Sequence, residues 1–177
     1  SEMFIRDRIE DYSKKHDKIR VVFREQNGHI SEASNSALAV ATGEYVALLD
    51  HDDYLPKHAL ARVIDCISDH PETDIIYTDE DKIDESGNRS QPHFKSDWNP
   101  DLLLGQNYIS HLGIYRRSAL QEIGGFRGGF EGAQDWDLVL RLSTRIPASS
   151  IRHIPEVLYH WRSISGSTAI DIDEKSY

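Results

Sequence analysis

Residues 43–56 read Gly-Glu-Tyr-Val-Ala-Leu-Leu-Asp-His-Asp-Asp-Tyr-Leu-Pro, an apolar run that leads directly into three carboxylates. The apolar part, residues 45–49, is bounded by a Thr-Gly pair and by a proline, which predicts a short buried strand of a parallel sheet rather than a helix. In an open α/β sheet, ligands bind at the carboxyl ends of the strands. Asp50, Asp52 and Asp53 are therefore expected at a ligand site.

These three carboxylates repel one another, and the chain offers no basic residue among them before Lys57. A hard divalent cation would compensate their charge, since Mg²⁺ takes one or two protein carboxylates and leaves its other positions to substrate phosphates. The alternative is an acidic turn that caps a helix beginning at Pro56, which is a favourable first helical residue. The triplet alone leaves both interpretations open.

Three further stretches accompany this one in a fixed order. Residues 23–35 read FREQNGHISEASN, residues 124–126 read GGF and are followed at 131–138 by EGAQDWDL, and residues 154–162 read IPEVLYHWR. Together with the Asp-x-Asp of residues 50–52, they resemble the motifs of the inverting, family 2 nucleotide-sugar glycosyltransferases with the GT-A fold. The resemblance extends over residues 20–169, and four ordered motifs are more specific than an isolated Asp-x-Asp.

The resemblance implies an α/β fold with a mixed sheet flanked by helices. It also implies transfer of a sugar from a UDP- or dTDP-linked donor to the hydroxyl of a saccharide or lipid-linked saccharide acceptor, with Mn²⁺ or Mg²⁺, in bacterial cell-surface polysaccharide synthesis. Domains of this family begin with a strand and a loop that hold the base and ribose, whereas this chain begins with a predicted helix. Residues 1–177 are therefore expected to form a single, N-terminally truncated domain with an exposed sheet edge, through which two copies could pair.

On the donor side, the resemblance assigns Asp52 as the metal ligand and places Asp50 near the ribose or in the outer shell of the metal. It gives His160 as a further metal ligand, although a histidine half buried at the end of a strand is the alternative. The predicted nucleotide-sugar contacts are Asn35, Asp50, Asp52 and Arg162, followed by a closing loop at residues 165–168.

The resemblance also assigns Asp135 as the general base that accepts the proton of the attacking hydroxyl. Asp135 would open a helix, so the alternative is a first-turn acid stabilised by the helix dipole. Asp137 is expected to be structural. The predicted acceptor side consists of Trp98, His111 and Glu131, although Trp98 beside prolines could serve packing alone.

Helices are predicted over residues 4–16, 31–41, 56–70, 102–104, 118–123 and 135–142, and strands over 19–23, 45–49, 74–78, 112–115, 151–154 and 157–161. The Asp79-Glu80-Asp81 run is expected on a solvated face, with a second metal site as the rarer alternative. Cys66 is the one cysteine, so no intrachain disulfide can form, and we expect it in the core.

The net charge of −10 argues against a general nucleic-acid-binding role. No stretch has the length of a membrane span or the layout of a secretory signal, which predicts a cytoplasmic location, including the inner face of the membrane. The alternative to an active enzyme is a non-catalytic fragment, a sugar-nucleotide- or polysaccharide-binding remnant of such a domain. A metal-dependent phosphohydrolase would also use clustered aspartates, but the chain lacks the additional His-Asp pairs that a two-metal site needs.

Overall fold

Helices and strands alternate along residues 2–163, the part of the chain that the computed structural model describes. The helices are α1 (Glu2–Lys15), α2 (His29–Val40), α3 (Ala59–Asp69), α4 (Pro100–Gly105), α5 (Arg117–Glu122) and α6 (Gln134–Ser143), with a 3₁₀ turn at Ala148–Ser150. The strands are β1 (Tyr45–Ala47), β2 (Ile75–Asp84), β3 (Arg89–His93), β4 (Gly113–Arg116) and β5 (Ile151–Ser163). The predicted mixed α/β architecture is confirmed.

Strand β2 is the centre of the sheet. Strand β5 runs parallel to it from Ile75 to Asp84, along one edge. The other edge is shared by two antiparallel partners, β4 opposite residues 75–77 and β3 opposite residues 80–83. Strand β1 pairs antiparallel with β4 and ends the sheet.

Two hydrophobic clusters form the core, and β2 contributes to both. Ile75 and Tyr77 belong to the cluster that includes α5 and α6, whereas Ile76 belongs to the cluster that includes α3. This division follows from the alternation of side chains along a strand. The sheet is therefore covered on both faces, and residues 75–81 of its central strand are buried.

The strand predictions were wrong in three details. Strand β1 is shorter than predicted, only partly buried and antiparallel to its described neighbour β4, because it lies at the end of the described sheet and an apolar run does not indicate strand direction. Residues 19–23 form no strand, since no strand among residues 2–163 pairs with them, and Val22 and Phe23 remain substantially exposed. The two strands predicted near the end of the described chain are one strand, β5, whose register to β2 shifts near Pro155 and Glu156.

The helix predictions were confirmed with small changes at the ends. Helix α3 begins at Ala59 rather than Pro56, although the Pro56 carbonyl still accepts the first backbone hydrogen bond, from Ala59. Cys66 packs, half buried, against the cluster that includes α3. No helix among residues 2–163 has the length and apolar character needed to cross a membrane.

Helix α2 is joined to the loop before α6 by one side chain. The amide of Asn35 donates to the Phe126 carbonyl at 2.8 Å and accepts the Phe126 N–H at 2.9 Å. Gly125 lies directly beside this amide in a left-handed conformation, with φ of +69°. The joint connects segments 91 residues apart in the sequence, and thereby fixes one end of the loop that leads into α6.

We expect Gly125→Ala to destabilise the fold more than Gly124→Ala. Both glycines have positive φ, +69° and +77°, so either alanine costs about 1–2 kcal/mol in backbone strain. Only at Gly125 would the new Cβ also meet a neighbour, the Asn35 Oδ1 at 2.5 Å, while nothing lies within 4 Å at Gly124. Urea unfolding of the two variants measures the difference; equal losses of stability would contradict the role of the Asn35 joint.

Candidate functional site

A cleft of about 720 Å³ opens where β1 ends. Its walls come from the end of α2, the segment after β1, the loop before β4, the start of α6 and the end of β5. The side chains that matter for chemistry there are Asp50, Asn107, His111, Asp135, Trp136 and Trp161. The structure therefore brings the predicted donor residue Asp50 and the predicted base Asp135 to one cavity.

The turn that carries the three aspartates is bound to β5. The Tyr159 hydroxyl donates to the Asp53 carboxylate at 2.5 Å, and the Arg162 N–H donates to the same carboxylate at 2.8 Å. Tyr54 and His160 exchange two backbone hydrogen bonds of 3.0 and 2.9 Å. Asp53 thus holds the turn in place, which leaves the other two carboxylates for a ligand.

Asp50 lines the cleft beside His111, whose Nε2 lies 3.8 Å from the Asp50 Oδ2. Burial raises the pKa of Asp50 above its ordinary value; His111 opposes this rise, and the neighbouring carboxylates of Asp53 and Asp52 add to it. Ionisation of Asp50 is therefore less favourable here than in water. A cationic ligand would offset this penalty.

Asp52 and His160 are the predicted ligands of a divalent cation. The Asp52 carboxylate is 26% exposed and has one weak contact, to His51 at 3.7 Å, so its oxygens are available. His160 bonds Asp81 through Nδ1, which fixes the ring and leaves Nε2 for coordination. Residues 2–163 contain no group of three or more acidic, histidine or cysteine side chains gathered for a metal ion. Neither residue belongs to the cleft lining, so their roles as ligands of a cation completed by phosphate oxygens stay predictions.

Asp135 is the second residue of α6, and its carboxylate is oriented by two hydrogen bonds. The Asn107 amide donates to Oδ2 at 2.8 Å, and the Trp136 backbone N–H donates to Oδ1 at 2.9 Å. The Trp136 indole in turn donates to the Leu103 carbonyl. A carboxylate held in this way, facing a cleft from a rigid helix, is well placed to accept a proton.

Asp137 is buried and turned to the other side of α6. Arg127 and Arg141 both bond its carboxylate, the latter at 2.9 Å. Burial opposes ionisation, but the bonds from the two guanidinium groups outweigh it and lower the pKa of Asp137. The expectation that Asp137 is structural agrees with these contacts.

Trp161 forms the β5 side of the cleft, and His111 contacts both Trp161 and Tyr159. His111 stacks on Tyr159 with 4.6 Å between ring centroids, and its edge meets Trp161 at 5.0 Å. The buried atoms His111 Nδ1 and Trp161 Nε1 have no hydrogen-bond partner among residues 2–163. Because buried polar atoms are normally paired, these two indicate a wall suited to a polar, hydroxyl-bearing ligand.

Six predicted site residues lie outside the cleft lining: Asp52 and His160, described above, and the four that follow here. Both amide atoms of Asn35 are engaged by Phe126, and Trp98 packs against the core cluster of α5 and α6. Glu131 is exposed and accepts the Gly129 N–H, while the Arg162 guanidinium lies over the Tyr54 ring at 5.1 Å. Their assigned binding roles stay predictions. The closing loop at residues 165–168 lies outside the described residues.

The prediction of a solvated face for residues 79–81 was wrong. Asp79, Glu80 and Asp81 are only 3%, 8% and 4% exposed, because β2 is central to the sheet. Each carboxylate has a basic partner: His153 for Asp79, Lys95 for Glu80, and both His160 and Arg89 for Asp81. Sequence patterning missed this cluster, since its partners are distant in the chain.

Lys95 was also missed, and a single lysine in a loop gives no sequence signal. Its fully buried ammonium donates to the Glu80 carboxylate at 3.0 Å, to the Ile109 carbonyl at 2.8 Å and to the His111 carbonyl. The His111 N–H closes the ring by donating to Glu80. Burial lowers the pKa of Lys95, although Glu80 opposes this. The pair clamps the loop that presents Asn107 and His111 to the cleft.

Comparison with known families and proteins agrees with this geometry. The Glycosyl transferase family 2 model matches residues 4–124, which ends before α6 and β5. An uncharacterized protein of Sinorhizobium fredii is 53% identical over 169 residues, 96% of this chain and 19% of that protein. The O-antigen biosynthesis protein RfbC of Myxococcus xanthus is 42% identical over 161 residues, 91% of this chain and 12% of RfbC. The chain thus spans a fifth or less of the length of these relatives.

Solved structures share the fold. Residues 1–349 of S. aureus TarS superpose with a TM-score of 0.68 at 23% identity, over 88% of this chain and 47% of that one. A mannosyltransferase of Pyrobaculum calidifontis, solved with GDP-Man and Mn²⁺, superposes with a TM-score of 0.61 at 18% identity, over 92% of this chain and 45% of that one. At these identities the likeness establishes the architecture.

We expect Lys95→Met to destabilise the chain by about 3–5 kcal/mol, because it leaves the Glu80 carboxylate buried without its cation. The double variant Lys95→Met/Glu80→Gln should recover a large part of the loss, since it removes both charges. Urea unfolding measures these values. Lys18→Met, at an exposed lysine, is the control and should change stability by less than about 0.5 kcal/mol. A Lys95→Met variant as stable as the control would contradict the clamp.

Proposed function

This chain belongs to Glycosyl transferase family 2 and has the GT-A fold, and on that premise we propose that it transfers a sugar from a nucleoside-diphosphate sugar to an acceptor hydroxyl with inversion. The observation that carries the proposal is the single cleft onto which Asp50, from the donor motif, and Asp135, from α6, both open. Direct displacement at a sugar carbon requires one cavity that holds the leaving group on one side and a proton acceptor on the other.

In the proposed reaction, Asp135 accepts the proton of the acceptor hydroxyl as its oxygen attacks the anomeric carbon. The bond between that carbon and the diphosphate oxygen breaks, the new glycosidic bond forms on the opposite face, and the diphosphate leaves with the bonding electrons. The Asn107 amide and the Trp136 N–H hold the carboxylate in position for the transfer. Attack from the face opposite the leaving group accounts for inversion.

On the donor side, Asp52 and His160 would hold Mn²⁺ or Mg²⁺ together with the donor phosphates. When bound there, the cation supplies Lewis-acid stabilisation of the negative charge on the departing diphosphate. Asp50 would face the ribose or the outer shell of the cation, from its position in the cleft beside His111. Asn35 and Arg162 are the remaining proposed donor contacts.

The proposed donor is UDP- or dTDP-linked. TarS has been solved with UDP-GlcNAc and the Pyrobaculum mannosyltransferase with GDP-Man, which supports nucleotide sugars as the ligand class. The proposed acceptor is a saccharide or lipid-linked saccharide in surface-polysaccharide synthesis, a proposal supported by relatives named O-antigen biosynthesis protein and, at 26% identity, chondroitin synthase of Escherichia coli. Trp98, His111 and Glu131 on the acceptor side, pairing of copies through the β1 edge and a cytoplasmic location belong to the same proposal.

We expect calorimetric titration of the chain with UDP or dTDP to show binding that requires Mn²⁺, and Asp52→Asn to weaken it on the order of tenfold or more, about 1.4 kcal/mol. The carboxylate supplies charge to the cation, and the amide does not. Asp65→Asn, at an exposed acid on α3, is the control and should bind as the wild type does. No nucleotide binding with any metal would favour a non-catalytic fragment instead.

We expect Asp135→Asn to reduce sugar transfer by about 10²- to 10⁴-fold while leaving nucleotide affinity unchanged, because the amide keeps the shape but cannot take the proton. Asp101→Asn is the matched control, since Asp101 is likewise a first-turn acid, in α4. If Asp135 served only to stabilise its helix through the helix dipole, the two variants would retain equal activity. Product formation from a radiolabelled nucleotide sugar, with thermal unfolding measured alongside, separates these outcomes.

A further inference from the structure

We propose that Tyr159 is a positioning residue, which fixes Asp50 and His111 relative to each other in the cleft and thereby sets the affinity for the nucleotide. The inference rests on the proposed function, because the ligand concerned is the nucleoside-diphosphate donor. It assigns a task to a fully buried tyrosine that has no role in the predicted site.

The Tyr159 hydroxyl is bound to the donor turn, residues 50–54, by two hydrogen bonds of opposite sense. It donates to the Asp53 carboxylate at 2.5 Å and accepts the Asp50 backbone N–H at 3.3 Å. A phenolic hydroxyl can do both at once. Burial raises the pKa of Tyr159 and the bond to Asp53 adds to the rise, so the hydroxyl keeps its proton. One oxygen atom thus holds the first and the fourth residue of the turn.

The ring of the same tyrosine supports His111. The two rings stack with 4.6 Å between their centroids and 12° between their planes. The His111 backbone is held separately, since its N–H donates to the Glu80 carboxylate at 3.1 Å. Glu80 on β2 and Tyr159 on β5 lie opposite each other in the register of the parallel strands. A pair of neighbouring residues in the sheet therefore positions both the ring and the backbone of His111.

Asp50 and His111 meet in the cleft, although they come from different segments. Both line the cavity, and the Asp50 Oδ2 and the His111 Nε2 are 3.8 Å apart. Tyr159 bonds the backbone of the first residue and stacks on the ring of the second. Binding groups displaced by as little as about 1 Å lose much of their effect on a ligand. Removal of the hydroxyl should therefore release the turn while the ring still supports His111.

Tyr77 on the neighbouring strand provides an internal comparison. It is as fully buried as Tyr159, and its ring also stacks on a histidine, His153, with 4.9 Å between centroids and 12° between planes. Its hydroxyl donates to the Ser96 carbonyl at 2.8 Å. Neither of these partners lines the cleft. Tyr77 therefore has the burial, the stacking and the bonded hydroxyl of Tyr159 without the connection to the donor turn.

The experiment compares Tyr159→Phe with Tyr77→Phe by two measurements. Calorimetric titration with UDP at one fixed Mn²⁺ concentration gives the nucleotide affinity, and NMR amide hydrogen exchange without ligand gives the protection of the Asp50 N–H. We expect Tyr159→Phe to weaken UDP binding by about 3- to 10-fold, the scale of one hydrogen bond, and to speed exchange at Asp50 by on the order of tenfold. Tyr77→Phe should change either quantity by less than about twofold, although it also removes a buried hydroxyl.

An Asp53→Ala background separates positioning from a general loss of stability. Independent substitutions have effects that multiply, whereas substitutions that act through the same contact do not. We expect Tyr159→Phe to weaken UDP binding less in the Asp53→Ala background than in the wild type, because the turn is then already released. Effects that multiply fully would overturn the role of the hydroxyl in holding the turn.

The outcomes separate the inference from the proposed function. Wild-type protein that binds no UDP would overturn the proposed donor site and, with it, the role of Tyr159 in affinity. Wild-type binding that Tyr159→Phe retains in full, or that Tyr77→Phe weakens equally, would overturn the inference alone. The wild-type contacts need no substitution: nuclear Overhauser effects should join the Tyr159 ring to the Asp50 amide and to the His111 ring. Their absence would overturn the inference even if Tyr159→Phe failed to fold.

Discussion

Three consecutive carboxylates are buried on β2, and the need to compensate them organises the structure around that strand. A buried carboxylate without a partner loses several kcal/mol of solvation, so each one requires a cation or hydrogen-bond donors of its own. The partners come from four separate places: β5, β3, the segment at Lys95 and the loop before β4. A single strand thereby fixes the relative positions of most segments that surround the cleft.

The same network reaches the candidate site from two directions. Through Lys95, Glu80 holds the loop that carries Asn107 and His111, and Asn107 in turn orients Asp135. Through His160, Asp81 reaches the strand to which the donor turn is bound. The donor and base sides of the cleft therefore both depend on the buried carboxylates of β2. This explains how residues far apart in the chain can hold a common geometry.

The candidate site combines carboxylates on a turn with a carboxylate on a helix. Asp50 and Asp52 lie on a turn, whose conformation depends on Asp53, Tyr159 and the Arg162 backbone. Asp135 lies on a helix that is anchored in the core by Leu138, Val139 and Leu142. A carboxylate that must meet an attacking hydroxyl benefits from the rigid element, whereas carboxylates that meet a cation and phosphates gain from a turn that places several acids close together.

The sequence alone determined the features that depend on neighbouring residues. Helices α3 and α6 and the order of the family motifs follow from local periodicity, proline signals and residue spacing. Tertiary structure decided what depends on distant partners. The backbone direction of β1, the absence of a strand at residues 19–23 and the burial of Asp79, Glu80 and Asp81 are set by segments many positions away. A charged run is predicted as solvated because such runs usually lie on solvated faces, yet whether water or a histidine compensates it depends on contacts 79 residues apart, such as Asp81 with His160.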